Sequence, residues 1–176
     1  MALVLIRHTA VADAEGLCYG ALDLALADSA PQDIAAVLAQ VESLDAVITS
    51  PATRCRQLAA ALAVRDACPL TVEPALRELD FGLWEGCRWD DIDRAQSDPW
   101  AEDPWNRAPP GGECEASMWH RLQGWLEASP LVAGARVAVV AHGGPLRLLR
   151  CHLEGRDLRE RWSLTVPLGG VIDYGA

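Results

Sequence analysis

The chain contains no lysine, since all 15 of its basic residues are arginine. That absence removes a Walker A loop, a Schiff-base lysine and pyridoxal phosphate chemistry together, because each needs an ammonium group. Neither G-x-S-x-G nor G-x-G-x-x-G occurs, so no strand-to-helix serine elbow and no dinucleotide fingerprint are written here. No run of 18 or more apolar residues is present, and Met1 leads straight into a strand pattern with a single Arg. Neither a membrane span nor a secretory signal is therefore expected, and the expected location is cytoplasmic. Six cysteines (Cys18, Cys55, Cys68, Cys87, Cys114, Cys151) form no C-x-x-C pair. They share no zinc-type spacing with His8, His120, His142 or His152, so free thiols and no structural metal are expected. A formal net charge of −10 argues against nucleic acid or an anionic membrane as partner, because both require a basic face. Any anion must be captured locally.

What is present suits one domain over residues 1–176: 51% of the 176 residues are hydrophobic and 23% charged, enough for a core. Ala2-Leu3-Val4-Leu5-Ile6 reads as an interior strand. Ser29 is a candidate N-cap before Pro31, with Ile34, Val37, Leu38 and Val41 at helical spacing. Ala46–Thr49 reads as a second strand, and Ser50-Pro51 opens a helix carrying Leu58, Ala61 and Leu62. Leu70-Thr71-Val72 is a third strand. From Cys87 to Gly112 the composition shifts to Trp, Asp and Pro, which reads as a helical and loop insertion forming a lid or wall. A helix over about 115–128, a strand over 137–141, a helix over about 145–153 and a hairpin-like stretch over 165–174 complete the chain. Long apolar strands alternating with helices predict an α/β fold, a mostly parallel sheet with helices on both faces.

In such sheets ligands bind at the carboxyl ends of strands. Arg7-His8-Thr9 stands at the end of the first strand, offering a guanidinium fork to an anion and a nucleophilic nitrogen. Arg54 lies in the first turn of the helix after Ser50-Pro51, where free N–H groups and the dipole favour an anion. His142 follows the strand over 137–141, and Gly143-Gly144 lets the backbone pass close to a ligand. Glu78, after the third strand, is placed to supply a proton to a leaving oxygen. Taken singly, each has a plain structural explanation: a core His, an exposed helical Arg, a solvated loop acid.

Taken together, Arg7-His8-Thr9, Ser50-Pro51 with Arg54, Glu78 and His142-Gly143 resemble the histidine phosphatase superfamily, also called the phosphoglycerate mutase-like family. The match runs in order from residue 2 to residue 144. The resemblance implies a three-layer sandwich and a single histidine phosphatase domain with the insertion at about 87–112. It implies His8 as the phosphoryl acceptor, with Arg7, Arg54 and a protonated His142 holding the nonbridging oxygens. It also implies Glu78 as general acid and Gly143 as a further backbone donor. Two Arg and a cationic His do what Mg²⁺ does elsewhere, so no metal and no cofactor are expected.

Within the superfamily, Gly16-Leu17-Cys18-Tyr19-Gly20 with Asp23, and the stretch from Arg77 to Gly86, are similar to the α-ribazole phosphatase branch. Thr9 in place of the more familiar Gly fits that branch, and Ala10 stands where phosphoglycerate mutases carry an acid. Pro110-Gly111-Gly112-Glu113 also resembles a wider family segment, although Cys114 replaces the usual Ser. The implied substrate is α-ribazole 5′-phosphate of cobalamin biosynthesis. Three alternatives stand beside it: a broad small-molecule phosphatase, a phosphoglycerate mutase-type phosphotransferase, or a non-catalytic binding protein on the same fold. Thr9, Cys18, Tyr19, Gly20, Gly143 and Trp84 are the expected substrate contacts, while Cys18 and Tyr19 could equally pack the loop. The partner expected is a small phosphorylated metabolite, with no nucleic acid and no membrane; a homodimer is left open.

Overall fold

The first strand is apolar from Ala2 to Ile6 because it is covered on both faces. In the computed structural model, which describes residues 2–128 and 134–175, it is β1 (Ala2–Arg7). The other strands are β2 (Ala46–Thr49), β3 (Leu70–Val72), β4 (Arg136–Ala141) and β5 (Val171–Asp173). The α-helices are α1 (Ala30–Gln40), α2 (Thr53–Asp66), α3 (Arg94–Glu102), α4 (Glu115–Ala128) and α5 (Gly143–Leu153). The sheet order is β3-β2-β4-β1-β5, and only β5 is antiparallel to its neighbour. β1 and β4 pair in register from Ala2 with Arg136 to Arg7 with Ala141. The two central strands therefore end at one level, which sets the residues that follow them side by side.

Strand alternation divides the core into two layers. Leu3 and Leu5 of β1, with Val137, Val139 and Ala141 of β4, pack against Met118 and Leu122 of α4 and Leu146 and Leu149 of α5. Val4 and Ile6, with Val47, Ala138 and Val140, pack against Val37 of α1 and Cys55, Leu58 and Leu62 of α2. Leu58 and Leu62 are fully buried, and truncating either to Ala would cost about 2–5 kcal/mol. The result is an α/β sandwich of three layers with a mostly parallel sheet. β3 closes one edge half exposed, with Leu70 and Val72 outside the core.

Three local expectations change. Ser29 does not cap α1 through its side chain; its hydroxyl instead donates to the Asp33 carboxylate at 2.9 Å. α5 begins at Gly143 rather than Pro145, so both glycines belong to its first turn. Residues 165–174 form no hairpin, because the Thr165 and Val166 carbonyls are taken by Arg150 at 3.0 Å and Arg7 at 2.7 Å. Only Val171–Asp173 pairs, along β1. The 87–112 segment holds a short 3-10 turn at Trp89–Asp91 and then α3, whose N-cap Asp93 accepts from Ala95 N–H at 2.9 Å.

Candidate active site

The parallel register delivers His8 and His142 to the same end of the sheet, with ring centroids 5.2 Å apart. His8 is 2% exposed. Its Nδ1 lies 2.7 Å from the Thr9 carbonyl. A carbonyl only accepts, so Nδ1 carries the proton and Nε2 keeps its lone pair. Burial above all pulls the His8 pKa down to about 3; the Thr9 hydrogen bond opposes this, and Arg54 and Arg7 reinforce it. The ring is a neutral imidazole across the physiological range.

Arg54 is fully buried, and each of its nitrogens has an acceptor. NH2 donates to the Gly20 carbonyl at 2.6 Å, NH1 to the Leu22 carbonyl at 2.8 Å, and Nε to His142 Nδ1 at 3.3 Å. NH1 also lies 3.5 Å from Asp23, whose carboxylate caps α2 by accepting from Thr53 N–H at 2.9 Å. Because Arg54 donates to Nδ1, the neutral His142 ring bears its proton on Nε2, which donates to Ser50 Oγ at 2.7 Å. The expected cationic His142 is thus corrected. Burial first, then Arg54, holds its pKa well below the ordinary value, and a second ring proton would have to displace Arg54 Nε–H.

Arg7 donates to the Val166 carbonyl, while its Nε is buried without a partner among the described residues. Glu78 hangs between two amides. Oε1 accepts from Leu79 N–H at 3.0 Å and Oε2 from Gly144 N–H at 3.2 Å. A Cβ on residue 144 would sit 2.3 Å from Glu78 Oε1, so only glycine leaves the carboxylate room.

These groups line one cavity of about 180 Å³ containing Arg7, His8, Arg54, Glu78 and His142. Its remaining wall is largely aromatic and apolar: Leu17, Tyr19, Phe81, Trp89, Trp100 and Trp162. Trp89 and Trp100 stack at 5.9 Å, and Phe81 meets both edge-on. The 87–112 segment thereby supplies one wall.

Of the six expected contacts, five are not among the residues lining this cavity. Cys18 and Trp84 are buried against each other and Ile92, behind the wall rather than in it. Gly20 acts through its carbonyl on Arg54; its Cα lies so close to the Leu79 carbonyl that a Cβ would sit 1.9 Å from that oxygen. Thr9 is 1% exposed and serves His8 through its own carbonyl. Tyr19 does line the cavity, beneath the Arg54 guanidinium at 5.4 Å. Gly143 opens α5, where first-turn amides have no partner within the helix, and a Cβ there would lie 3.4 Å from Arg7 Cζ.

Arg147, Glu115 and Trp162 also reach the cavity, and the sequence reading did not include them. Arg147 stands four residues after Gly143 on α5, so helical spacing alone could have placed it on the same face. Its Nε donates to the Leu164 carbonyl at 3.1 Å and its guanidinium covers the Trp162 ring at 5.0 Å. Glu115 is paired with Arg161, and nothing in the local sequence announces that contact.

The family model for the histidine phosphatase superfamily (branch 1) matches residues 3–174. Phosphoserine phosphatase 1 of Hydrogenobacter thermophilus is 31% identical over 172 residues, covering 92% of this chain and 80% of its own length. The solved α-ribazole phosphatase of Shigella flexneri has a TM-score of 0.90 at 24% identity, over 98% of this chain and 89% of its own, a likeness of fold. A mycobacterial glucosyl-3-phosphoglycerate phosphatase has a TM-score of 0.76 at 27% identity, over 93% of this chain and 84% of its own.

Proposed function

The chain belongs to the histidine phosphatase superfamily, and from that premise we propose that it is a metal-independent phosphomonoester hydrolase working through a phosphohistidine at His8. The observation that carries this reading is a neutral His8 ring with Nδ1 tied to Thr9, beside two guanidiniums in one cavity. His8 Nε2 attacks phosphorus as the bond to the alcohol oxygen breaks, and Glu78 gives that oxygen its proton. Glu78 then takes a proton from the water that attacks the phosphohistidine, which releases inorganic phosphate and restores His8. Arg7 and Arg54 hold the equatorial oxygens, and His142 keeps Arg54 in place. Charge spread over those oxygens is what such a transition state must have neutralised.

The leaving alcohol assigned first is α-ribazole. Support comes from the sequence stretches around Gly16–Asp23 and Arg77–Gly86 and from the flat faces of Tyr19, Phe81, Trp89, Trp100 and Trp162 in the cavity, which suit a benzimidazole-type base. A second reading, a phosphorylated hydroxy acid such as phosphoserine, is favoured by Arg147. Among the described residues neither of its terminal nitrogens has a protein acceptor, so they are open to a carboxylate.

The test is hydrolysis of p-nitrophenyl phosphate in EDTA by the wild type and by His8→Ala, with alkali-quenched protein examined for phosphate on His8. Activity that needs added metal, or that survives His8→Ala, sinks the mechanism. A panel of α-ribazole phosphate, phosphoserine and 3-phosphoglycerate ranks the alcohols.

A further inference from the structure

The Arg54 guanidinium is aimed by a loop, and the loop is itself held by a carboxylate with no part in the chemistry above. Glu85 Oε2 accepts from Gly20 N–H at 2.9 Å and Leu22 N–H at 3.0 Å. Its Oε1 accepts from Ala21 N–H and Phe81 N–H, both at 2.9 Å. Three consecutive amides of one loop and one amide of the segment following Glu78 thus converge on a single side chain. The same loop turns the Gly20 and Leu22 carbonyls onto Arg54 NH2 and NH1. Those two bonds each use one proton of a terminal nitrogen and leave the other for a ligand.

From this relay, resting on the phosphatase reading, we infer that Glu85 is the positioning residue for Arg54, fixing the guanidinium on the transferring phosphoryl group through residues 20–22. An ionised carboxylate is suited to the task because it accepts four amide hydrogen bonds and donates none. A carboxamide keeps one oxygen and turns an NH₂ group toward amides that can only donate. Glu85→Gln therefore preserves size and shape while loosening the loop. Misplacing a catalytic group by about 1 Å costs on the order of 100-fold in rate. Because Arg54 serves the phosphoryl group and not the alcohol, the loss should be the same for aryl and alkyl esters.

The experiment is a double-mutant cycle between Glu85→Gln and Arg54→Gln, with kcat and KM for p-nitrophenyl phosphate and inhibition by orthovanadate. Glu85→Gln should lower kcat about 100-fold in the wild-type background and less than about threefold in Arg54→Gln, with vanadate binding weakened in step. Similar losses in both backgrounds, or no loss at all, overturn the inference. Glu85→Asp, which keeps the charge, should fall between wild type and Glu85→Gln, and replaces it in the cycle if the latter does not fold. Wild type inactive on every ester would overturn the phosphatase reading instead. Vanadate affinity, measured by calorimetry, would then still report whether Glu85 acts through Arg54.

Discussion

Acid should destabilise this protein in part through His8. The folded ring titrates at about 3 against an ordinary value of 6.5, mainly because burial disfavours the imidazolium. A depressed folded pKa means that the unfolded chain binds the proton first. The contribution of His8 is therefore complete above 6.5 and is lost progressively as pH falls toward 3. About pH 5 lies roughly 1.5 pH units into that window, and at about 1.4 kcal/mol per unit the loss is about 2 kcal/mol. His8→Asn isolates it, because the amide can still donate to the Thr9 carbonyl but does not titrate. Guanidinium unfolding of both proteins at about pH 8 and about pH 5 should give the variant a pH dependence smaller by about 2 kcal/mol. Carboxylate titration, common to both, cancels in the comparison. Identical pH dependences would refute the reasoning, as would an NMR titration placing His8 near 6.5.

Three further outcomes follow from the cavity. Glu78→Gln should impair alkyl phosphates by about 100-fold more than p-nitrophenyl phosphate, and Gly144→Ala should show the same bias because its Cβ displaces Glu78; kcat on paired esters reads both. Arg147→Gln should raise KM about 10- to 100-fold for 3-phosphoglycerate and leave glycerol 3-phosphate, its analogue without a carboxylate, within about threefold. Equal effects on that pair would remove the carboxylate role of Arg147.

The fold was legible where burial constrains the chain on both sides. β1 from Ala2 to Ile6 and β4 from Val137 to Ala141 are unbroken apolar runs because two helical layers cover them, and the helices declare themselves through apolar periodicity. The C-terminal stretch misled because Val166, Leu168, Val171 and Ile172 look like two short strands about Gly169-Gly170. Two of its carbonyls go instead to arginine side chains distant in sequence, a partnership that no local pattern encodes. Within the site, the residues at strand ends were readable because the topology exposes those ends. Cys18 and Trp84 were not, since lying one residue from Tyr19 or three from Phe81 says nothing about which side of a loop faces the cavity. Trp162 reaches the wall from a 3-10 turn near the far end of the chain, and its stacking on Arg147 becomes visible only in three dimensions.

The absence of lysine has its sharpest consequence at Arg54. A buried cation is normally neutralised by a buried carboxylate, as Glu115 neutralises Arg161 elsewhere in this chain, both nearly inaccessible. Arg54 is treated differently. Its donors are met by two carbonyls and a neutral imidazole, while its carboxylate partner Asp23 keeps a side chain 40% exposed to water. Each nitrogen thus has one protein partner but the charge is only weakly balanced, so its field persists inside the cavity. Burial is the main reason both histidines are neutral, and that field, with the one from Arg7, adds to it; it is also the field a phosphate dianion would meet. An ammonium could not take the place of Arg54, because reaching two carbonyls and His142 from three separate nitrogens requires the planar fork. The charge that reinforces burial in keeping His8 unprotonated is therefore the same charge that would draw in its substrate.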